Sequence, residues 1–71
     1  MTFGQTIEQL RKQQNMTLRK LAEKSGISYS LIQSMVNDDR VPTKEAILSL
    51  ARVLQYDDTE DLLRLAGYYV F

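Results

Sequence analysis

Seventy-one residues allow one domain, taken as 1–71, and with no Cys and no His the chain lacks disulfides, thiol catalysis, imidazole acid-base chemistry and the usual zinc ligand sets. A chain this short buries only about 60% of its unfolded surface, leaving little room for a catalytic cleft, so it is read as no enzyme, with no cofactor and no metal. Nine Lys and Arg balance nine Asp and Glu, no apolar run approaches the roughly 18 residues of a membrane span, and the N-terminal MTFGQTIEQLRKQQ has no signal-peptide core, which makes a cytoplasmic protein without membrane attachment the expectation.

In chain order, Thr2 and Gln5 have capping-box spacing, and Phe3, Ile7 and Leu10 form an apolar stripe, so a first helix opens at Thr2. It stops by Asn15, a residue that tolerates left-handed backbone. Thr17 caps a second helix from Leu18, with Met16 and Leu21 spaced as a hydrophobic staple. Its narrow inward face is Leu18, Leu21 and Ala22, while Arg19, Lys20, Glu23 and Lys24 face solvent. Gly26 supplies the left-handed residue that ends it. Ser28 caps a third helix over Tyr29 to Val36, and Ile27 with Ile32 repeats the staple. Leu31, Ile32, Met35 and Val36 turn inward there, leaving Tyr29, Ser30, Gln33, Ser34 and Asn37 outward. A polar connector reaches Val41; Pro42 and Thr43 then start a fourth helix with Ile47, Leu50, Ala51 and Leu54 on one face. A fifth begins at Asp57 or Asp58, Glu60 being placed to complete a capping box from Asp57. Leu62, Leu63, Leu65 and Ala66 give its core face, and Gly67 ends it. The apolar, β-prone run Tyr68-Tyr69-Val70-Phe71 follows. The pattern is all-α, a five-helix bundle.

Two short helices about a glycine-bearing turn, the second with an outward polar face, form a helix-turn-helix. The chain resembles the phage Cro and repressor family of DNA-binding domains, also called Xre-type, from Ile7 to about Tyr68. The residues that carry the likeness are Arg11, Thr17, Leu21-Ala22, Gly26-Ile27-Ser28, Ser30, Ile32, Met35, Arg40, Pro42-Thr43, Leu50-Ala51 and Leu54. The resemblance implies a lambda-repressor-like fold with the helix-turn-helix at helices two and three. It also implies a transcriptional regulator of the repressor kind that inserts helix three into the major groove of double-stranded DNA as a homodimer. Tyr29, Ser30 and Ser34 fall at the family's base-reading positions, and the way a recognition helix enters by its N-terminal end adds Ser28 and Gln33. If the family geometry holds, the phosphate contacts are Thr17, Arg19, Asn37, Arg40, Thr43 and Lys44, several of them at helix N-termini, which favour anions. For Arg19 and Lys44 plain solvated surface is the competing reading, and for Tyr29 it is shielding of the core.

Charge is unevenly spread. Through Arg52 eight basic residues face five acidic, a surplus of three, whereas from Val53 one basic faces four acidic. The positive part holds the helix-turn-helix, and such a dipole steers weakly, so a single copy is expected to rely on pairing. Three positions depart from the family pattern. Leu18 stands for a glutamine that bonds a phosphate. Val36 stands for a glutamate that pairs with an arginine on helix one, so Arg11 must find another acid or reach to water. Asp38 stands for a glycine and is followed by Asp39, with a capping or turn role open to it. The terminal aromatic run, Tyr68, Tyr69, Val70 and Phe71, either folds back onto helices one and five or joins Leu63 or Leu65 in a dimer surface. The alternative function is a protein-interaction module of the same fold, binding a protein partner such as a toxin or antirepressor.

Overall fold

A computed structural model describes residues 1–68; Tyr69, Val70 and Phe71, and with them most of the expected dimer surface, lie outside the described residues. Each helix follows from a cap and a stripe. Helix α1, Phe3–Gln13, opens with the full capping box: the Thr2 hydroxyl accepts from the Gln5 amide at 3.1 Å and the Gln5 side chain accepts from the Thr2 amide at 2.9 Å. Asn15, at φ 53°, turns the chain out of it. Helix α2, Leu18–Ser25, is capped by Thr17 and closed by Gly26 at φ 74°. Helix α3, Tyr29–Val36, is capped by Ser28, and α4, Lys44–Leu54, by Thr43. Helix α5 spans Thr59–Leu65, followed by Gly67 at φ 94°.

The start of α5 settles the choice left open above. Asp58, not Asp57, is the cap, and its carboxylate accepts from the Asp61 amide at 3.1 Å. With Thr59 as the first helical residue, the reciprocal position three residues on falls to Asp61. Glu60 is therefore outside any capping box and pairs with Arg64 at 3.2 Å.

All five helices feed one core. Phe3 and Ile7 of α1, Leu21 and Ala22 of α2, Ile32 and Met35 of α3, Ile47, Leu50, Ala51 and Leu54 of α4, and Leu62 of α5 are buried. A fully buried side chain of this size is worth about 1.5–3 kcal/mol, so most of the fold's stability lies in this cluster. Leu31 and Val36, assigned to the inward face of α3, are half-buried at its edge, as are Leu63 and Leu65 of α5 and its C-cap Ala66. Helix α3 packs on α1 and α2, α2 also packs on α4, and α5 packs on α4. The helix-turn-helix is thus braced twice, α1 behind α3 and α4 behind α2.

Arg11 does find another acid. Its guanidinium grips both oxygens of Glu8, one turn back, at 2.7 and 3.1 Å and donates to the Met16 carbonyl at 2.6 Å. The Arg11–Glu8 hydrogen bond, chiefly, holds the Glu8 carboxyl below its usual range against the opposing effect of burial. The pair joins the end of α1 to the residue that precedes the α2 cap.

Candidate nucleic-acid interface

The third helix is fixed at both ends. At its start, Ser28 accepts from the Leu31 amide at 3.3 Å. Its last turn rests against the first turn of α1, so closely that a Cβ on Gly4 would run into the Val36 carbonyl group, 2.8 Å from its carbon. Glycine is needed there for space, since its backbone is helical. Two residues further on, Asp38 adopts a left-handed φ of 60° and turns its carboxylate back. One oxygen accepts from the Gly4 amide at 2.9 Å, the other from the Thr2 hydroxyl at 2.7 Å. Asp38 is thus a second cap for α1, satisfying a first-turn donor that Thr2 does not reach and placing a negative charge at the positive end of the helix. A turn role for Asp38 was open in the sequence; a cap on a helix 34 residues away was not legible there.

Between these anchors, α3 presents a polar face. Ser28, Ser30 and Gln33 are exposed, and Ser34 is half-buried. Tyr29 is half-buried as well, its ring packed against the core edge. The Arg19 guanidinium, from α2, sits 4.4 Å from the ring centre, and the Gln33 side-chain amide donates to the Tyr29 hydroxyl at 3.2 Å. Arg19, Tyr29 and Gln33 therefore form one chain of contacts across the two helices, in which the cation faces the negative π-surface of the ring. Both competing readings of Tyr29 have a basis here: the ring covers core, and the hydroxyl keeps its proton for an outside acceptor. Leu18, in place of the family's polar residue, is half-buried and contributes packing instead.

Ser28, Ser30, Leu31 and Ser34 line an open depression of about 240 Å³ whose remaining wall is Arg40. The connector thus folds Arg40 back beside the first two turns of α3. Asn37 is the exposed C-cap of α3. At the N-termini of α2 and α4, the Thr17 and Thr43 hydroxyls accept from the Lys20 and Ala46 amides at 3.0 and 3.1 Å. The amides of Leu18 and Arg19, and of Lys44 and Glu45, are first-turn donors with no carbonyl within the helix to bond. Lys44 lies 5.5 Å from the ring centre of Tyr68. Tyr68 donates its hydroxyl to the Pro42 carbonyl at 2.6 Å, so this first residue of the aromatic run is tied to the connector and packs against the core. Leu63 is half-buried against the core.

Among the described residues no three His, Cys, Asp or Glu side chains come together as a metal site, and no helix is long and apolar enough to cross a membrane.

A model of the helix-turn-helix family of the Cro and repressor kind, Xre-like, matches residues 7–61. No curated protein and no solved structure matches the chain. The matched span runs from Ile7 in α1 through the helix-turn-helix into α5, and so includes the whole of α2, α3 and α4. With five helices in this order and more than half of its length matched, the chain belongs to the Cro/repressor-type, Xre-like helix-turn-helix family of DNA-binding regulators.

Proposed function

We propose that the protein is a sequence-specific transcriptional repressor, a single domain acting in the cytoplasm, that inserts α3 into the major groove and binds a pseudo-palindromic site as a homodimer. The observation that carries this reading is the polar face of α3, held by a cap at one end and by close packing on α1 at the other. A helix fixed in this way presents the Ser28, Ser30 and Ser34 hydroxyls with little orientational freedom left to lose on binding. Ser28, Tyr29, Ser30, Gln33 and Ser34 are the proposed groove contacts. Thr17, Arg19, Asn37, Thr43 and Lys44 are the proposed phosphate contacts, helped by the free first-turn amides of α2 and α4.

Zero net charge does not oppose this strongly, because Asp38 is engaged by α1 and the basic surplus lies in the part of the chain that holds α2 and α3. Repression would follow from covering a promoter. The dimer surface assigned to Leu63 and the terminal run, Tyr68 to Phe71, remains part of the proposal.

The test is selection from a pool of random duplexes at low and moderate salt, beside Ser30→Glu and Ser34→Glu. Enrichment of a two-fold site by the wild type, lost in both variants while their circular dichroism is unchanged, is the expected result; half-site spacing then reports the dimer. No binding at either salt would refute it and favour the interaction module.

A further inference from the structure

The polar face of α3 is poor in groups that tell one base pair from another. A serine hydroxyl both donates and accepts, so Ser28, Ser30 and Ser34 suit any base edge. Gln33 is the one side chain on the helix able to pair two-fold with a base, and its amide is engaged with the Tyr29 hydroxyl. A sequence-specific reader built from α3 alone would discriminate weakly.

Arg40 changes this. It follows α3 by only four residues, yet it closes the same depression as Ser28, Ser30 and Ser34. Its guanidinium makes no ion pair or hydrogen bond among the described residues, although Asp38 and Asp39 precede it directly. The reason for Asp38 is geometric: both its oxygens are taken up by Thr2 and Gly4, at the start of α1. The other arginines near the helix-turn-helix are occupied, Arg11 with Glu8 and Arg19 over Tyr29. Arg40, at the wall of this depression, thus carries a planar five-donor fork with no partner among the described residues, and the base edge that matches such a fork is the O6 and N7 pair of guanine.

We infer that Arg40 is a specificity-determining residue, reading a guanine in each half-site from the α3–α4 connector, and is not one of the phosphate contacts. The inference rests on the proposed DNA reading by α3. In it, the serines fix the register and Arg40 supplies the discrimination.

The experiment compares wild type, Arg40→Ala and Arg40→Lys on the duplex enriched by the wild type and on its single-position variants, at several salt concentrations. Arg40 is exposed, so both variants are expected to keep the wild-type melting temperature. The expected result is a loss of roughly ten- to hundred-fold per half-site on the enriched duplex for Arg40→Ala, compounded over the two half-sites. It should be matched by no loss on duplexes already lacking one guanine per half-site. Arg40→Lys should restore only part of the preference, since an ammonium has no two-pronged geometry. A uniform weakening of all duplexes by Arg40→Ala, with the salt slope falling by about 0.9 per copy and rescue by Arg40→Lys, would make Arg40 a phosphate clamp and overturn the inference. So would an unchanged affinity. A wild type that enriches a site without such a guanine overturns the role of Arg40 alone, whereas a wild type that enriches nothing overturns the reading by α3 as well.

Discussion

Replacing Asp38 by glycine restores the residue usual in the family, yet the structure predicts that it weakens this protein. The carboxylate makes two hydrogen bonds, one to a half-buried amide and one to an exposed hydroxyl, each worth roughly 1 kcal/mol in that setting. Its charge at the start of α1 adds about 0.5 kcal/mol. Against this, a non-glycine residue at φ 60° costs about 1 kcal/mol, which glycine recovers. Asp38→Ala loses the contacts and keeps the strain, for a loss of about 2–2.5 kcal/mol; Asp38→Gly loses about 1–1.5 kcal/mol, the same contacts less the strain. For a domain of this size 1 kcal/mol moves the melting temperature by about 4–8 °C. Thermal melts followed by circular dichroism at neutral pH should therefore order the proteins as wild type, then glycine, then alanine, with gaps of several degrees. An Asp38→Gly protein that melts at or above the wild type would show that the cap on α1 is worth less than the strain it requires.

Gly4→Ala should also destabilise, although alanine is the better helix former by about 1 kcal/mol, because its Cβ meets the Val36 backbone and α1 must move off α3. A drop in melting temperature is expected, and a rise would contradict the close approach. Glu8→Gln should flatten the acid limb of stability. The folded carboxyl titrates below its unfolded value, so its contribution is present above about pH 4.3 and disappears as pH falls through the folded value. The variant should be less stable at neutral pH by on the order of 1 kcal/mol or less and should converge with the wild type in acid, as urea melts at several pH values would show. Arg19→Ala should lower the salt slope of DNA binding by about 0.9 per copy without changing sequence preference, measured by fluorescence anisotropy. A changed preference would mean that Arg19 acts through the placement of Tyr29.

What was legible in the sequence is what short-range chemistry determines. Thr2, Thr17, Ser28 and Thr43 each precede an apolar stripe and each accepts from the amide three residues on. Gly26, which has no Cβ, and Asn15, whose short polar side chain tolerates it, are left-handed as their residue types suggest. The start of α5 was ambiguous because two adjacent aspartates satisfy the same rule, and Asp58 is the one whose carboxylate meets a first-turn amide, that of Asp61. The long-range pairings were not legible: Asp38 on the first turn of α1, Gly4 against Val36, Tyr68 on Pro42 and Arg40 beside the α3 serines. Each depends on how helices meet, and no spacing rule encodes it. One odd residue did hint at them, an aspartate where the family has glycine.

The most direct test of α3 as the DNA-reading element is a titration of the ¹⁵N-labelled 71-residue protein with the enriched duplex, followed by amide chemical shifts. The largest changes should fall on residues 28–34 and Arg40, with smaller ones at Leu18, Arg19, Lys44 and Glu45, where free first-turn amides would meet phosphates. Changes centred instead on α5, with α3 unmoved, would contradict the account and place the binding surface away from α3.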